Sequence, residues 1–129
     1  MASQPRVFRS DVYESGGIRP RARLTDLADN VLTQADFTGT VSIAVYDISS
    51  ATPTTAVLST TRTLSDVVFN SLQTWTKDAV GFNFGDLITS NEVTREGGHS
   101  YRISYLLNHV TDGKYPVLFE VRCLPLLSL

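Results

Sequence analysis

The 129-residue chain reads as an all-β domain of about seven or eight short strands packed as two facing sheets. Three observations carry this. Val, Ile, Tyr and Phe recur at alternate positions through stretches rich in Thr and Ser, the period of a half-buried strand. Turn residues interrupt those stretches at roughly the 8–12-residue spacing of a sandwich. No stretch sustains an apolar period of about 3.6 residues over several turns, so no long helix is expected.

Taken in order, residues 1–17 mix polar groups with the isolated apolar residues Val7, Phe8, Val12 and Tyr13 and end at Gly16-Gly17. They show neither period and read as an extended N-terminal arm whose deletion leaves the fold intact. The sandwich domain spans residues 18–129. Pro20 suggests that the first strand sits at an edge or starts late, because proline donates nothing to a ladder. Residues 21–25 are extended and residues 26–30 supply turn chemistry. Residues 40–47 alternate, with Val41, Ile43 and Val45 on one face and Ser42, Ala44 and Tyr46 on the other. Residues 48–55 form a loop, and strands follow at 56–60 and 64–70, the second with Val67 and Phe69 on one face. Trp75 is expected as a core anchor, since a lone indole buries a large area. Residues 81–85 form a short strand between glycines, and residues 86–95 are a connection with about one helical turn. After Gly97-Gly98 come the strongest strands. Tyr101, Ile103, Tyr105 and Leu107 share a face, Thr111-Asp112-Gly113-Lys114 is a hairpin signal, and Val117, Phe119, Val121 and Cys123 share a face of the last strand. The architecture this tally favours is an immunoglobulin-like antiparallel sandwich, with a small closed barrel as the alternative.

Composition excludes several classes. A hydrophobic fraction of 42% with 19% charged residues is that of a globular chain. No apolar run approaches the roughly 18 residues of a membrane span, and residues 1–6 lack the apolar core of a signal peptide. The single cysteine, Cys123, forms no internal disulfide, and in an alternating apolar strand it reads as a small hydrophobe. The net charge of −2 argues against a bulk polyanion binder, and nucleic acid is not an expected partner. The charge is unevenly placed. Residues 1–23 hold five arginines against Asp11 and Glu14, a net +3, whereas the rest holds six basic and eleven acidic groups, a net −5. Nine of the eleven basic residues are Arg, the cation enriched at protein interfaces, which tilts the reading toward contacts.

Motifs for chemistry are sparse. His99 and His109 lie outside any nucleophile elbow, and Cys123, His99 and His109 lack zinc-ligand spacing. Asp26, Asp29 and Asp36 lack the pattern of a calcium loop and read as turn formers. Neither glycine pair opens a strand-to-helix phosphate loop. Arg19, Arg21 and Arg23 alternate on one strand face, a weak polyanion signal on an acidic body. The expectation is a non-enzyme with no catalytic residue, no metal and no cofactor.

Several segments resemble a known family. Ala22-Arg23-Leu24-Thr25-Asp26 with Val31-Leu32-Thr33-Gln34-Ala35-Asp36, then Gly97-Gly98-His99-Ser100-Tyr101-Arg102-Ile103 and the closing Leu118-Phe119-Glu120-Val121-Arg122, are similar to immunoglobulin-like accessory structural proteins of tailed phages. These include capsid cement and decoration proteins and the N-terminal domain of upper baseplate proteins. The likeness spans roughly residues 22–122. The chain departs from the baseplate pattern at Asp29-Asn30, where an Asp-Gly turn is usual, and it ends at Leu129 with no further module. The resemblance implies a virion structural protein, assembled in the host cytoplasm. Its partner is the major capsid protein in a cement role, or tail proteins in an adaptor role. Homo-oligomers are expected, with a trimer as the guess. The contact residues expected in the arm and first strand are Arg6, Phe8, Arg9, Tyr13, Arg19 and Arg21. A glycan- or ligand-binding β-module using Trp75 is the remaining alternative.

Overall fold

A computed structural model describes residues 7–13, 17–26, 28–75, 79–89, 91–93, 96–111 and 113–124, with backbone alone at 7–13. Among the described residues eight strands form two sheets: β1 (Val7–Tyr13), β2 (Arg21–Ala22), β3 (Phe37–Asp47), β4 (Ala56–Arg62), β5 (Val68–Gln73), β6 (Phe82–Gly85), β7 (Ser100–His109) and β8 (Gly113–Leu124). The larger sheet runs β1-β8-β7-β3-β4 and the smaller β2-β6-β5. Every pairing is antiparallel except β1 with β8, which is parallel. This is the strand order of a variable-type immunoglobulin sandwich, and the expected all-β sandwich is what the chain forms.

The alternation that marked the strongest strands sets the core. Val41, Ile43 and Val45 of β3, Ile103, Tyr105 and Leu107 of β7, and Val117, Phe119 and Val121 of β8 all point inward and are buried. Across the gap, Ala22, Val68 and Phe84 of the small sheet meet them. The Phe84 ring stands edge-on to Tyr105 at 4.9 Å and stacks with Phe119 at 6.1 Å. Burying one such phenyl contributes about 2–3 kcal/mol. The β7–β8 hairpin runs in register from Ser100 opposite Arg122 to His109 opposite Gly113, and Gly113 takes the positive φ of 81° that the expected turn requires.

A second device fixes the segment that follows β2. Asn83 of β6 is fully buried. Its Oδ1 accepts the Leu24 N–H, and its Nδ2 donates to the Leu24 and Leu32 carbonyls at 3.0 and 2.7 Å. These bonds hold both sides of the loop that the 26–30 turn closes. In that turn the Asp26 carboxylate accepts the N–H groups of Ala28 and Asn30. The bonds from Asn30 chiefly hold the Asp26 carboxyl below its ordinary range. The expected strand at 21–25 is therefore shorter, Arg21–Ala22, because the Leu24 backbone bonds to the Asn83 side chain and to Leu32 in place of the β6 backbone.

Two further expectations change. Residues 64–70 are not one strand. Leu64–Val67 is a single helical turn, α1, and β5 begins at Val68. The chain must leave the large sheet after β4 and enter the small one, and α1 makes that crossing while burying Val67. The segment expected as an arm contains β1, whose seven residues pair with Leu118 through Leu124. Isolated apolar residues concealed the strand, since a parallel edge needs no clean alternation to be hydrogen-bonded. Deleting residues 1–17 would uncover the edge of β8, so that deletion is not neutral for the fold.

Candidate functional site

The outer side of the small sheet carries the most distinctive surface. Arg21 pairs with Gly85, so both face away from the core when Ala22 and Phe84 face into it. Gly85 leaves room there: a Cβ would come within 3.3 Å of the Phe82 ring and 3.4 Å of Phe69. The two phenyl rings fill that space edge-to-face, 6.0 Å apart. Trp75 lies tilted against Phe82 at 5.5 Å. The Arg21 guanidinium sits over the Phe82 ring at 5.0 Å, and that of Arg23 over Trp75 at 6.0 Å. Such cation–ring contacts contribute about 0.5–1 kcal/mol each at exposed sites.

Trp75 is thus not the core anchor the sequence suggested. It is half-buried, outside the main core, and belongs to this aromatic layer. Beside the layer lies a shallow cavity of about 320 Å³, lined by Arg19, Arg21, Phe69, Phe82, Leu87 and the carboxylates of Asp66 and Asp86. Arg19 and Arg21 are exposed, and Leu87 is exposed among the apolar residues. Among the described residues neither Arg19 nor Arg21 forms an ion pair, so their donors face solvent. Asp86 is already committed. It accepts from Arg62 at 3.1 Å and from the Tyr105 hydroxyl at 2.7 Å. The net effect is a cationic, aromatic surface set on an acidic body.

Of the expected contact residues, Arg19 and Arg21 come together on this face. Arg6 lies outside the described residues, and Phe8, Arg9 and Tyr13 fall on β1, where the backbone alone is described. The alternation of Arg19, Arg21 and Arg23 is legible in the sequence, but their aromatic bed is not. Phe69, Trp75 and Phe82 are separated along the chain, and only the crossing at α1 and the bare Gly85 bring them under the arginines.

Other polar groups are drawn into local networks. Arg62 of β4 reaches Asp86 and Glu92, with Nη1 2.9 Å from the Glu92 carboxylate. Burial alone would lift the Glu92 pKa, but the hydrogen bonds from Arg62 and Thr89 outweigh it and hold the carboxyl below its ordinary range. Burial and the Asp86 carboxylate push the Tyr105 phenol far above its ordinary value. This network ties β4 and β7 of the large sheet to the end of β6 and the loop after it. At the opposite end, His99 Nδ1 lies 2.8 Å from Asp47 and its Nε2 3.2 Å from Glu96. Tyr101, at the start of β7, accepts the Glu96 N–H at 2.8 Å, the tyrosine-corner arrangement of immunoglobulin-like domains. His109 packs edge-on to Phe37 and accepts the Thr111 N–H. Cys123 is buried in the core. No described helix is long and apolar enough to cross a membrane.

No family model matches the chain, and neither a curated protein nor a solved structure matches it significantly.

Proposed function

We propose that the chain is a non-catalytic structural protein of a phage virion, a capsid cement or decoration protein that grips its partner through the outer face of the small sheet. The observation that carries this reading is that exposed Arg19 and Arg21 line one cavity with Phe69 and Phe82, with the Arg21 guanidinium over the Phe82 ring. Arg and aromatic residues together are the composition of interface hot spots, and Lys and Glu are not. The guanidinium of Arg21 rests over a ring, which restrains it and lessens the freedom it loses on binding a carboxylate. The sequence likeness of residues 22–122 to phage accessory domains supplies the virion setting. Each face is small, and a symmetric shell multiplies weak contacts through effective concentration. The major capsid protein is the proposed partner.

The same surface on a ring of tail proteins would serve an adaptor, and copy number separates the two. Quantitative mass spectrometry of gradient-purified particles is expected to find the chain in hundreds of copies. A few to a few dozen would assign it to a tail or baseplate. Its absence from particles would sink the virion reading. The glycan-binding alternative, which draws on the surface position of Trp75, would then take its place.

A further inference from the structure

The cluster of Asp47, Glu96 and His99 lies at the other end of the sandwich from the arginine face. Among the described residues it brings three ligand atoms within 4.8 Å of one another. Asp47 ends β3 and is buried. Its Oδ1 accepts the Ser49 N–H, and its Oδ2 lies 2.8 Å from His99 Nδ1. His99 is also fixed by its backbone: its N–H donates to the Glu96 carbonyl, and its carbonyl accepts the Cys123 N–H at 2.8 Å. The imidazole is therefore held with Nδ1 on a buried carboxylate and Nε2 beside Glu96. Glu96, whose side chain is 67% exposed, places Oε2 3.2 Å from Nε2.

We infer that His99 Nε2 and Glu96 form a zinc site, with Asp47 as the group that orients the imidazole. Two ligands on a tetrahedral zinc, each about 2.0–2.1 Å from it, lie about 3.3 Å apart, which is close to the observed 3.2 Å. A carboxylate on the far nitrogen of a metal-bound histidine fixes its tautomer and raises its basicity, the part Asp47 is placed to play. One nitrogen and one carboxylate suit zinc; magnesium and calcium prefer all-oxygen shells. Water fills the remaining positions. The ion would replace the proton shared between His99 and Glu96 and clamp the loop before β7. Sequence spacing shows only Glu-x-x-His; Asp47 comes from a strand half a chain away.

The test is calorimetric titration of the full chain with zinc chloride at about pH 8, where protons compete least for the imidazole. One zinc per chain is expected, with at least tenfold weaker binding in His99→Gln and in Glu96→Gln. Asp47→Asn should weaken it about tenfold, and His109→Gln should leave it unchanged. Magnesium chloride should give no binding heat. Glu96→Gln alters a mostly exposed side chain, so its folded state, checked by circular dichroism, separates a lost ligand from lost structure. Absence of zinc binding to the natural chain would overturn the proposal. So would binding that survives either His99→Gln or Glu96→Gln, or magnesium binding with equal heat.

Discussion

Arg62 and Arg21 both lie beside Asp86, and they are used in opposite ways. Arg62 is largely buried, and its donors are turned inward: Nε to Asp86, Nη1 to Glu92, and Nη2 to Glu92 and the Leu87 carbonyl. Arg21 is exposed, with its guanidinium over the Phe82 ring. The same side chain is a cross-tie between sheets in one place and an open hook in the other. What decides is the competition for carboxylates. Asp86 and Glu92 are taken by Arg62 and Tyr105, which leaves Arg21 only a ring to rest on. A guanidinium with satisfied donors has little to offer a partner, whereas one stacked but unpaired retains its whole hydrogen-bonding fork.

The largest effect should come from breaking the tie. Arg62→Ala strands Asp86 and Glu92 in a partly buried site and is expected to cost about 3–5 kcal/mol, read as a lower urea midpoint. A loss below about 1 kcal/mol would show that solvent reaches these carboxylates freely. Tyr105→Phe removes one donor to Asp86 and is expected to cost about 1–3 kcal/mol in the same assay. Arg21→Ala sharpens the contrast, because it should cost no more than about 1 kcal/mol. A loss as large as that of Arg62→Ala would mean that Arg21 is structural and the hook reading is wrong.

The smallest effect should be a pH dependence at His99. The hydrogen bond that its Nδ1 donates to the Asp47 carboxylate is the chief reason its pKa is raised, with Glu96 adding to it. The folded state thus binds the proton more tightly than the unfolded chain does. That stabilisation is complete below the unfolded value of about 6.5 and fades as pH rises through the raised folded value. Thermal midpoints between about pH 6 and 9 should therefore decline in the natural chain more steeply than in His99→Gln. Parallel curves would remove His99 as the cause.

The sequence made the large sheet legible and the small sheet much less so. Strands β3, β7 and β8 alternate cleanly because one face of each is buried against the other sheet, and Asp112-Gly113 marks their hairpin. Strands β2, β5 and β6 are short and lean on side-chain devices that leave no period. Asn83 replaces ladder bonds at Leu24 and Leu32, α1 interrupts what reads as one strand, and Gly85 admits two rings to an outer surface. β1 was hidden because it is held by backbone pairing to β8. The candidate face was half legible: its arginines alternate within one segment, but Phe69, Trp75 and Phe82 look like core residues until the crossing between sheets turns them outward.

This face is the contact we propose for the partner. Its most direct test is co-sedimentation of Arg19→Ala/Arg21→Ala/Phe69→Ala with gradient-purified particles stripped of the native chain, with urea unfolding run in parallel. The expected result is a folded protein whose bound fraction falls at least tenfold below that of the natural chain. Undiminished binding by the folded triple variant would contradict the claim and place the contact elsewhere on the molecule.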